Sequence, residues 1–173
     1  GDPFDPATRI GPMVSRAHFE KVMRAIDLAR AEGGRVLCGG EAVRVEGRCD
    51  GGWFVAPTVI EGLGPRCRSN VEEIFGPVLT LQPFDTESEA LELANASPYG
   101  LAASLWTSDL GRAHRLAARL DCGIVWINTW LMRDLRTPFG GTRASGIGRE
   151  GGLEAMRFFT EPKNICIDLG GNR

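Results

Sequence analysis

Three glycines, Gly146, Gly148 and Gly151, have the G-x-G-x-x-G spacing with which a loop can cradle the pyrophosphate of a dinucleotide. Asp168 follows Gly148 by twenty residues, about where an acid that binds a ribose is expected. That fingerprint requires a buried strand directly before the glycines, and the preceding FGGTRA is not one. We therefore predict that the glycines form a tight loop beside the start of a helix, not a nucleotide site.

Five cysteines and two histidines are the other groups that could act as nucleophiles, bases or metal ligands. The cysteines are odd in number and lack both a C-x-x-C pair and zinc-site spacing, which favours reduced thiols. Cys122 and Cys166 fall in predicted strands, and the other three match no nucleophile motif. His18 and His114 lie on predicted helices, and we expect His18 to face solvent. We predict no metal site and no independent Cys–His catalytic pair.

The composition is that of a soluble globular protein, with 43% hydrophobic and 24% charged residues among 173. A net charge of −2 offers no basic surface, so we expect neither nucleic acid nor membrane as a partner. No apolar run reaches the roughly 18 residues that cross a bilayer. Because no signal peptide is recognised and the first residue is not Met, we expect a cytoplasmic protein whose chain begins within a longer polypeptide.

Capping residues and apolar residues at helical spacing predict four helices. They run from the Ser15 cap to the glycine pair at 33–34, from the Thr86–Glu89 capping box to about Asn95, from the Ser108 cap through Leu120, and over about 152–159.

Six apolar segments predict strands. They are RVLC (35–38), WFVAPTVI (53–60, interrupted by Pro57), PVLTLQPF (77–84), GLAASLWT (100–107), CGIVWIN (122–128) and NICIDL (164–169). The order strand, helix, strand, helix, strand over 78–128 predicts two consecutive βαβ crossovers. We therefore expect an α/β fold with a parallel sheet and helices packed on it.

Several longer segments closely resemble the C-terminal part of the NAD(P)-dependent aldehyde dehydrogenase superfamily. They are RTPFGGTRASGIGREGG (136–152), VEEIFGPVLTLQPF (71–84), SPYGLAASLWTSD (97–109), GIVWINTW (123–130) and the opening GDPFDPATRIGPMVS (1–15). The matches run in family order across essentially the whole chain. The resemblance implies the parallel-sheet portion of the catalytic domain over 1–160 and an oligomerisation strand over 161–169, which joins a sheet completed by a neighbouring subunit. The final GGNR is expected to be frayed.

The stretch WLMRDLR (130–136) is similar to the branch that oxidises 2-hydroxymuconic and 2-aminomuconic semialdehydes. Those substrates of aromatic catabolism carry a carboxylate remote from the aldehyde. The resemblance implies oxidation to the acid through a thiohemiacetal on a cysteine, with hydride transfer to NAD, or to NADP. It also places the nucleophilic cysteine, the general-base glutamate and the nucleotide-binding domain upstream. No catalytic residue is then expected in this chain, and the isolated chain is expected to be inactive.

The resemblance implies that Glu73 binds the nicotinamide ribose, because a carboxylate can accept two ribose hydroxyls. It implies that Phe75 is the apolar residue beside that ribose and the nicotinamide. The alternative from the residues alone is a surface acid pair, Glu72 and Glu73, before a turn.

For the substrate, the resemblance implies that Phe139 lines the wall near the catalytic centre, with Trp130 on the same substrate side. Arg133 aligns with a position facing the tail of the aldehyde, where an arginine can grip a carboxylate with two parallel bonds. The alternative is a solvated loop in which Arg133 pairs with Asp134. Arg136 is the poorer candidate because it adjoins the PFGG turn.

Two hypotheses remain from the sequence. The first is the C-terminal portion of an NAD-dependent semialdehyde dehydrogenase that acts as a homo-oligomer. The second is a non-catalytic remnant that folds and self-associates or binds a partner.

Overall fold

The computed structural model describes residues 1–170, which form a mixed α/β fold in two compact units, Gly1–Ser97 and the part from Pro98 onward. The α-helices are α1 (Arg16–Ala31), α2 (Arg68–Val71), α3 (Glu87–Asn95), α4 (Leu110–Ala117) and α5 (Gly152–Phe158). The strands are β1 (Arg35–Cys38), β2 (Ala42–Val43), β3 (Phe54–Val55), β4 (Thr58–Glu61), β5 (Val78–Leu81), β6 (Tyr99–Gly100), β7 (Ala102–Leu105), β8 (Ile124–Ile127) and β9 (Thr142–Arg143). A 3-10 turn covers Gly47–Cys49.

Helix α1 begins as predicted, with the Ser15 hydroxyl accepting a hydrogen bond from the backbone N–H of His18. Its inner face buries Val22, Ile26 and Ala29 completely. Because these residues are three or four apart, they lie on one side of the helix. This helix contributes residues to both buried hydrophobic clusters of the first unit.

The sheet of the first unit has β4 at its centre, antiparallel to β1 and parallel to β5. Ile60 on β4 is fully buried against Ala29 and Leu63. Pro57 separates β3 from β4, as predicted, because proline cannot donate to a strand ladder. Strands β2 and β3 form a separate antiparallel pair.

The second unit contains one of the two predicted βαβ crossovers, in which α4 connects the parallel strands β7 and β8. Asp109, not the predicted Ser108, caps α4, since its carboxylate accepts the N–H of Arg112 at 3.0 Å. The first predicted crossover is wrong, because β5 pairs in parallel with the earlier β4 and β7 pairs with β8. The order of elements in the sequence did not determine which strands are neighbours.

The predicted terminal strand over 164–169 is not formed, since 160–170 contain neither helix nor strand. A strand needs a pairing partner, and no described residue pairs with this segment. Ile165, Ile167 and Leu169 are largely exposed. Apart from Gly170, the predicted frayed end lies outside the described residues. Within 1–170 there is no helix with the length and apolarity that a membrane span requires.

Candidate functional site

The segment that connects α2 to β5 carries Glu73 and Phe75. Between them, Ile74 packs against the core cluster of Val22, Ile26 and Val55. Glu73 is exposed, and so is 71% of Phe75. The segment is therefore anchored by Ile74 while its two neighbours remain available to a ligand.

Helix α1 holds the same segment through its main chain. The Nε2 atom of His18 donates to the carbonyl of Phe75 at 2.7 Å, and the Nζ of Lys21 donates to the carbonyl of Glu73 at 3.2 Å. The His18 ring also meets the Phe75 ring edge to face, with centroids 5.8 Å apart. The prediction that His18 merely faces solvent is wrong, because its ring is half-buried and bonded.

Phe75 has a backbone φ of +57°, the left-handed conformation that non-glycine residues seldom adopt. This conformation costs about 1–2 kcal/mol, so the surrounding contacts must hold it. The packing of Ile74 before Phe75 and the His18 hydrogen bond to the carbonyl of Phe75 supply such contacts.

The two adjacent acids, Glu72 and Glu73, have different environments. Arg68 binds the Glu72 carboxylate with two bonds of 2.7 and 3.0 Å and lowers the pKa of that carboxyl. The Glu73 carboxylate has no hydrogen-bond or ion-pair partner among the described residues. Glu72 is therefore engaged locally by Arg68, whereas the Glu73 carboxylate is available to a ligand.

Glu32, directly after α1, fixes the start of α2. Its carboxylate accepts from the Ser69 hydroxyl at 2.6 Å and from the backbone N–H groups of Ser69 and Arg68. These hydrogen bonds, the Ser69 hydroxyl foremost, lower the pKa of Glu32. These hydrogen bonds fix the start of α2, and α2 leads into the segment that carries Glu73.

Glu73 lines an open groove of about 410 Å³ together with Lys21 and Arg24 of α1. A groove with a free carboxylate and two cationic side chains can accept hydroxyl groups and anionic groups of the same ligand. Glu73 is therefore the candidate ligand-binding acid of this groove, and Phe75 does not line it.

In the second unit, the loop after β8 carries Trp130, which is 61% exposed. Its ring rests edge to face on the buried ring of Trp126, with centroids 5.1 Å apart. The indole N–H of Trp126 donates to the carbonyl of Met132 at 2.8 Å. Trp126, which the sequence pattern did not indicate, therefore holds both Trp130 and Met132.

Arg133 and Phe139 are in direct contact. The Cζ atom of Arg133 lies 3.9 Å from the centre of the Phe139 ring, a cation–π arrangement. The Nη2 atom of Arg133 donates to Oε1 of Glu150 at 2.7 Å. Within 1–170 no hydrogen bond or ring contact joins Trp130 to either residue, so only Arg133 and Phe139 form a pair.

The alternative pairing of Arg133 with Asp134 is wrong. Asp134 binds Arg136 through Nε at 2.9 Å and through the backbone N–H of Arg136. These bonds, the side-chain one foremost, lower the pKa of Asp134. Arg136 is thus occupied within its own turn, whereas Arg133 extends to the segment that carries Glu150.

The glycine motif is a tight loop at a helix start, as predicted. Gly151, with φ +86°, is the N-terminal cap of α5, and a Cβ there would lie 2.4 Å from the carbonyl oxygen of Thr137. A Cβ on Gly148, with φ +73°, would lie 2.3 Å from the Phe158 ring. Asp168 accepts the N–H of Gly170 in a local turn. These glycines allow close packing of backbone and ring.

The cysteines form no disulfide in the described residues. All five are unpaired thiols. Partial burial raises the pKa of Cys67 and of Cys122, which lowers the thiolate fraction that a nucleophile needs. Across 1–170, no three His, Cys, Asp or Glu side chains gather in a group that could hold a metal ion.

Curated proteins match nearly the whole length of this chain. It is 50% identical to a 2-hydroxymuconic semialdehyde dehydrogenase of Pseudomonas sp. strain CF600, over 98% of this chain and 35% of that protein. It is 48% identical to a 2-aminomuconic 6-semialdehyde dehydrogenase of Pseudomonas sp., over 96% and 34%. The chain spans about a third of the length of these curated relatives.

Solved structures agree with the sequence comparison. The crystal structure of an indole-3-acetaldehyde dehydrogenase mutant of P. syringae, in complex with NAD+ and IAA, superposes with a TM-score of 0.88 at 41% identity. The match covers 93% of this chain and 32% of that one. Residues 1–165 match the family described as "Aldehyde dehydrogenase family". The chain therefore belongs to the aldehyde dehydrogenase family.

Proposed function

We propose that this chain is the C-terminal part of the catalytic domain of an NAD-dependent aldehyde dehydrogenase. The enzyme oxidises a carboxylate-bearing semialdehyde, of the 2-hydroxymuconic type, to the corresponding acid. The observation that carries the proposal is the 50% identity to a 2-hydroxymuconic semialdehyde dehydrogenase over 98% of the chain. Residues 1–160 belong to the catalytic domain, and 161–169 form an oligomerisation strand in the assembly.

The reacting groups of this enzyme lie in upstream polypeptide: a cysteine nucleophile, a general-base glutamate and a nucleotide-binding domain. NAD, or NADP, supplies the hydride acceptor. Glu73 accepts hydrogen bonds from the hydroxyls of the nicotinamide ribose, and Phe75 packs its exposed ring beside that ribose. Two observations support these roles. The Glu73 carboxylate is free, and hydrogen bonds from His18 and Lys21 hold the backbone carbonyls of Phe75 and Glu73.

Arg133 binds the remote carboxylate of the substrate. Its Nη2 atom is engaged by Glu150, and its Nε and Nη1 atoms have no acceptor in the described part of the chain. The stack on Phe139 orients the planar guanidinium, while Phe139 and Trp130 offer apolar surface to the carbon chain. A charged hydrogen bond contributes about 1.5–3 kcal/mol, which corresponds to roughly tenfold to a hundredfold discrimination against an uncharged aldehyde.

The enzyme is a cytoplasmic homo-oligomer in this proposal. The exposed Ile165, Ile167 and Leu169 support self-association, since alternate apolar residues without a partner favour pairing with another chain. Unpaired thiols agree with a reducing compartment. The same apolar segment also favours the second candidate, a self-associating module without chemistry.

The decisive experiment compares two substrates in the purified whole enzyme. NADH formation is measured with 2-hydroxymuconic semialdehyde and with an uncharged aldehyde of similar length, and each is repeated with NADP. We expect kcat/KM to be at least about tenfold higher for the charged substrate. Equal values would overturn the substrate class, and no oxidation of either aldehyde would favour the non-catalytic module. The separate 173-residue chain should form no NADH, and measurable NADH would refute the upstream location of the catalytic groups.

A further inference from the structure

We infer that Trp126, together with Ser104, positions the loop over 129–133 and thereby directs Arg133 toward the carboxylate of the substrate. The inference rests on the proposed function, because Arg133 is the residue proposed to bind that carboxylate. Trp126 is buried on β8, directly before this loop. It is therefore a positioning residue that acts on Arg133 through the backbone of the loop.

The hydrogen bond from Trp126 ends on the peptide group that joins Met132 to Arg133. The indole Nε1–H donates to the carbonyl of Met132 at 2.8 Å. Because a peptide group is planar, a bond that holds its carbonyl oxygen also sets the direction of the N–H and Cα of the next residue. Arg133 is that residue, so the indole fixes the point from which its side chain extends.

Ser104 holds the beginning of the same loop. Its hydroxyl donates to the carbonyl of Thr129 at 2.6 Å. Ser104 and Trp126 are register partners in the parallel pair of β7 and β8, so their side chains lie on the same face of the two strands. Two neighbouring side chains of this strand pair thus bind the loop at carbonyls three residues apart.

The loop depends on these contacts because it buries little surface of its own. Trp130, Leu131 and Met132 are each more than half exposed. Leu131 has a φ of +56°, the left-handed conformation that is unfavourable for a residue with a side chain. Trp126 contacts both neighbours of Leu131, since its ring packs on Trp130 and its N–H binds Met132. Trp126 therefore holds the left-handed turn from both sides.

A loop held in this way presents Arg133 in one orientation before the substrate arrives. A substrate that binds to a preorganised arginine removes less conformational freedom from the protein. Loss of the indole N–H should therefore raise KM for a substrate that carries the carboxylate. Values of kcat, and KM for uncharged aldehydes, should change little because Trp126 does not contact the reacting end.

The experiment uses the whole enzyme with Trp126→Phe, Ser104→Ala, Arg133→Ala and the Trp126→Phe/Arg133→Ala double variant. Phenylalanine keeps an aromatic ring beside Trp130 and removes the N–H donor. We expect Trp126→Phe to raise KM for the carboxylate-bearing semialdehyde about two- to tenfold, with kcat little changed. In the Arg133→Ala background the same substitution should add nothing, because Trp126 acts through Arg133.

Hydrogen exchange of the backbone amides over 129–135 provides a second readout, which needs no substrate. Exchange should be faster in Trp126→Phe than in the wild type, because a loop with fewer contacts opens more often. Ser104→Ala should change KM and exchange in the same direction, and it decides the question if Trp126→Phe does not fold. Trp106→Phe is the matched control, since Trp106 follows β7 and is largely exposed, and it should change neither quantity.

The inference is overturned if Trp126→Phe raises KM equally for charged and uncharged aldehydes, or if exchange over 129–135 is unchanged. It is also overturned if the two losses add in the double variant. If Arg133→Ala itself fails to discriminate between the substrates, the proposed function fails and the inference falls with it. If Arg133→Ala discriminates and Trp126→Phe does not, the inference alone is wrong, so the two failures are distinguishable.

Discussion

His18 donates from Nε2 to the carbonyl of Phe75 at 2.7 Å, across 57 residues of sequence. The bond joins the first turn of α1 to the segment proposed to hold the cofactor, at the residue whose backbone is left-handed. A single histidine thus connects α1 to an exposed residue with a left-handed backbone.

Replacing His18 should weaken cofactor binding. Without the hydrogen bond, the Phe75 peptide gains freedom that the cofactor must then remove. We expect His18→Ala to raise KM for NAD about two- to tenfold. The comparison is His114→Ala on α4, which should leave KM for NAD unchanged. Equal KM values for NAD in the two variants would argue against a role of His18 in supporting the cofactor segment.

Substitutions of Glu73 and of Glu72 should have clearly different effects on KM for NAD in the whole enzyme. Glu73→Gln removes the charge that strengthens hydrogen bonds from ribose hydroxyls, so KM for NAD should rise by roughly tenfold. Glu72→Gln removes only the pair with Arg68 and should not change it. Steady-state kinetics at saturating aldehyde measures both, and a larger effect at Glu72 would contradict the assignment.

Arg133 and Arg136 provide a matched test three residues apart. Arg133→Ala should raise KM for the carboxylate-bearing semialdehyde roughly tenfold to a hundredfold and spare uncharged aldehydes. Arg136→Ala removes a guanidinium that Asp134 already occupies, so the substrate preference should persist. A similar loss of preference in both variants would contradict a specific anchor at Arg133.

A side chain at Gly148 should destabilise the fold. A methyl group there meets the Phe158 ring at 2.3 Å, and the φ of +73° is unfavourable for alanine. We expect Gly148→Ala to lower the free energy of unfolding by about 1–3 kcal/mol in thermal or denaturant unfolding. Gly64→Ala is the control, because open space surrounds that position. Equal stability of the two variants would contradict the packing at Gly148.

The lowered pKa of Glu32 predicts a pH-dependent stability. Because the folded state holds this carboxyl ionised more strongly than the unfolded state does, its contribution is complete above the ordinary glutamate pKa. The contribution is lost as the pH falls through the lowered pKa. Unfolding measured against pH should therefore show a smaller acid-side decline for Glu32→Gln than for the wild type. Parallel curves would exclude a contribution from Glu32.

Local features of the fold could be predicted from the sequence because local chemistry determines them. The Ser15 cap and the Thr86 cap are both formed, since each needs only a side-chain oxygen and an N–H three residues later. The cap of α4 is Asp109 and not Ser108, a shift of one residue between two equally suitable side chains. Pairing of β5 with β4 could not be predicted, because it depends on contacts across the sheet.

Contacts within the candidate site are harder to predict, because they join residues that are far apart in the sequence. Family resemblance identified Arg133 and Phe139, and the structure brings them into contact. Glu150, which pairs with Arg133, lies 17 residues further along the chain, so the pairing depends on how the loops fold and not on the local sequence. His18 was missed likewise, because its partner Phe75 is 57 residues away.

The bridge between Phe139 and Glu150 affects how selectivity can be transferred between related enzymes. Arg133, which we propose to recognise the charge of the substrate, stacks on Phe139, and two backbone hydrogen bonds join Phe139 to Glu150 in a third stretch of chain. A chimera that receives residues 130–136 alone would inherit Arg133 without the ring at 139 on which its guanidinium stacks. A successful graft should therefore exchange residues 130–136 together with the segment that carries Phe139. We expect related enzymes that differ in substrate preference to differ in both segments.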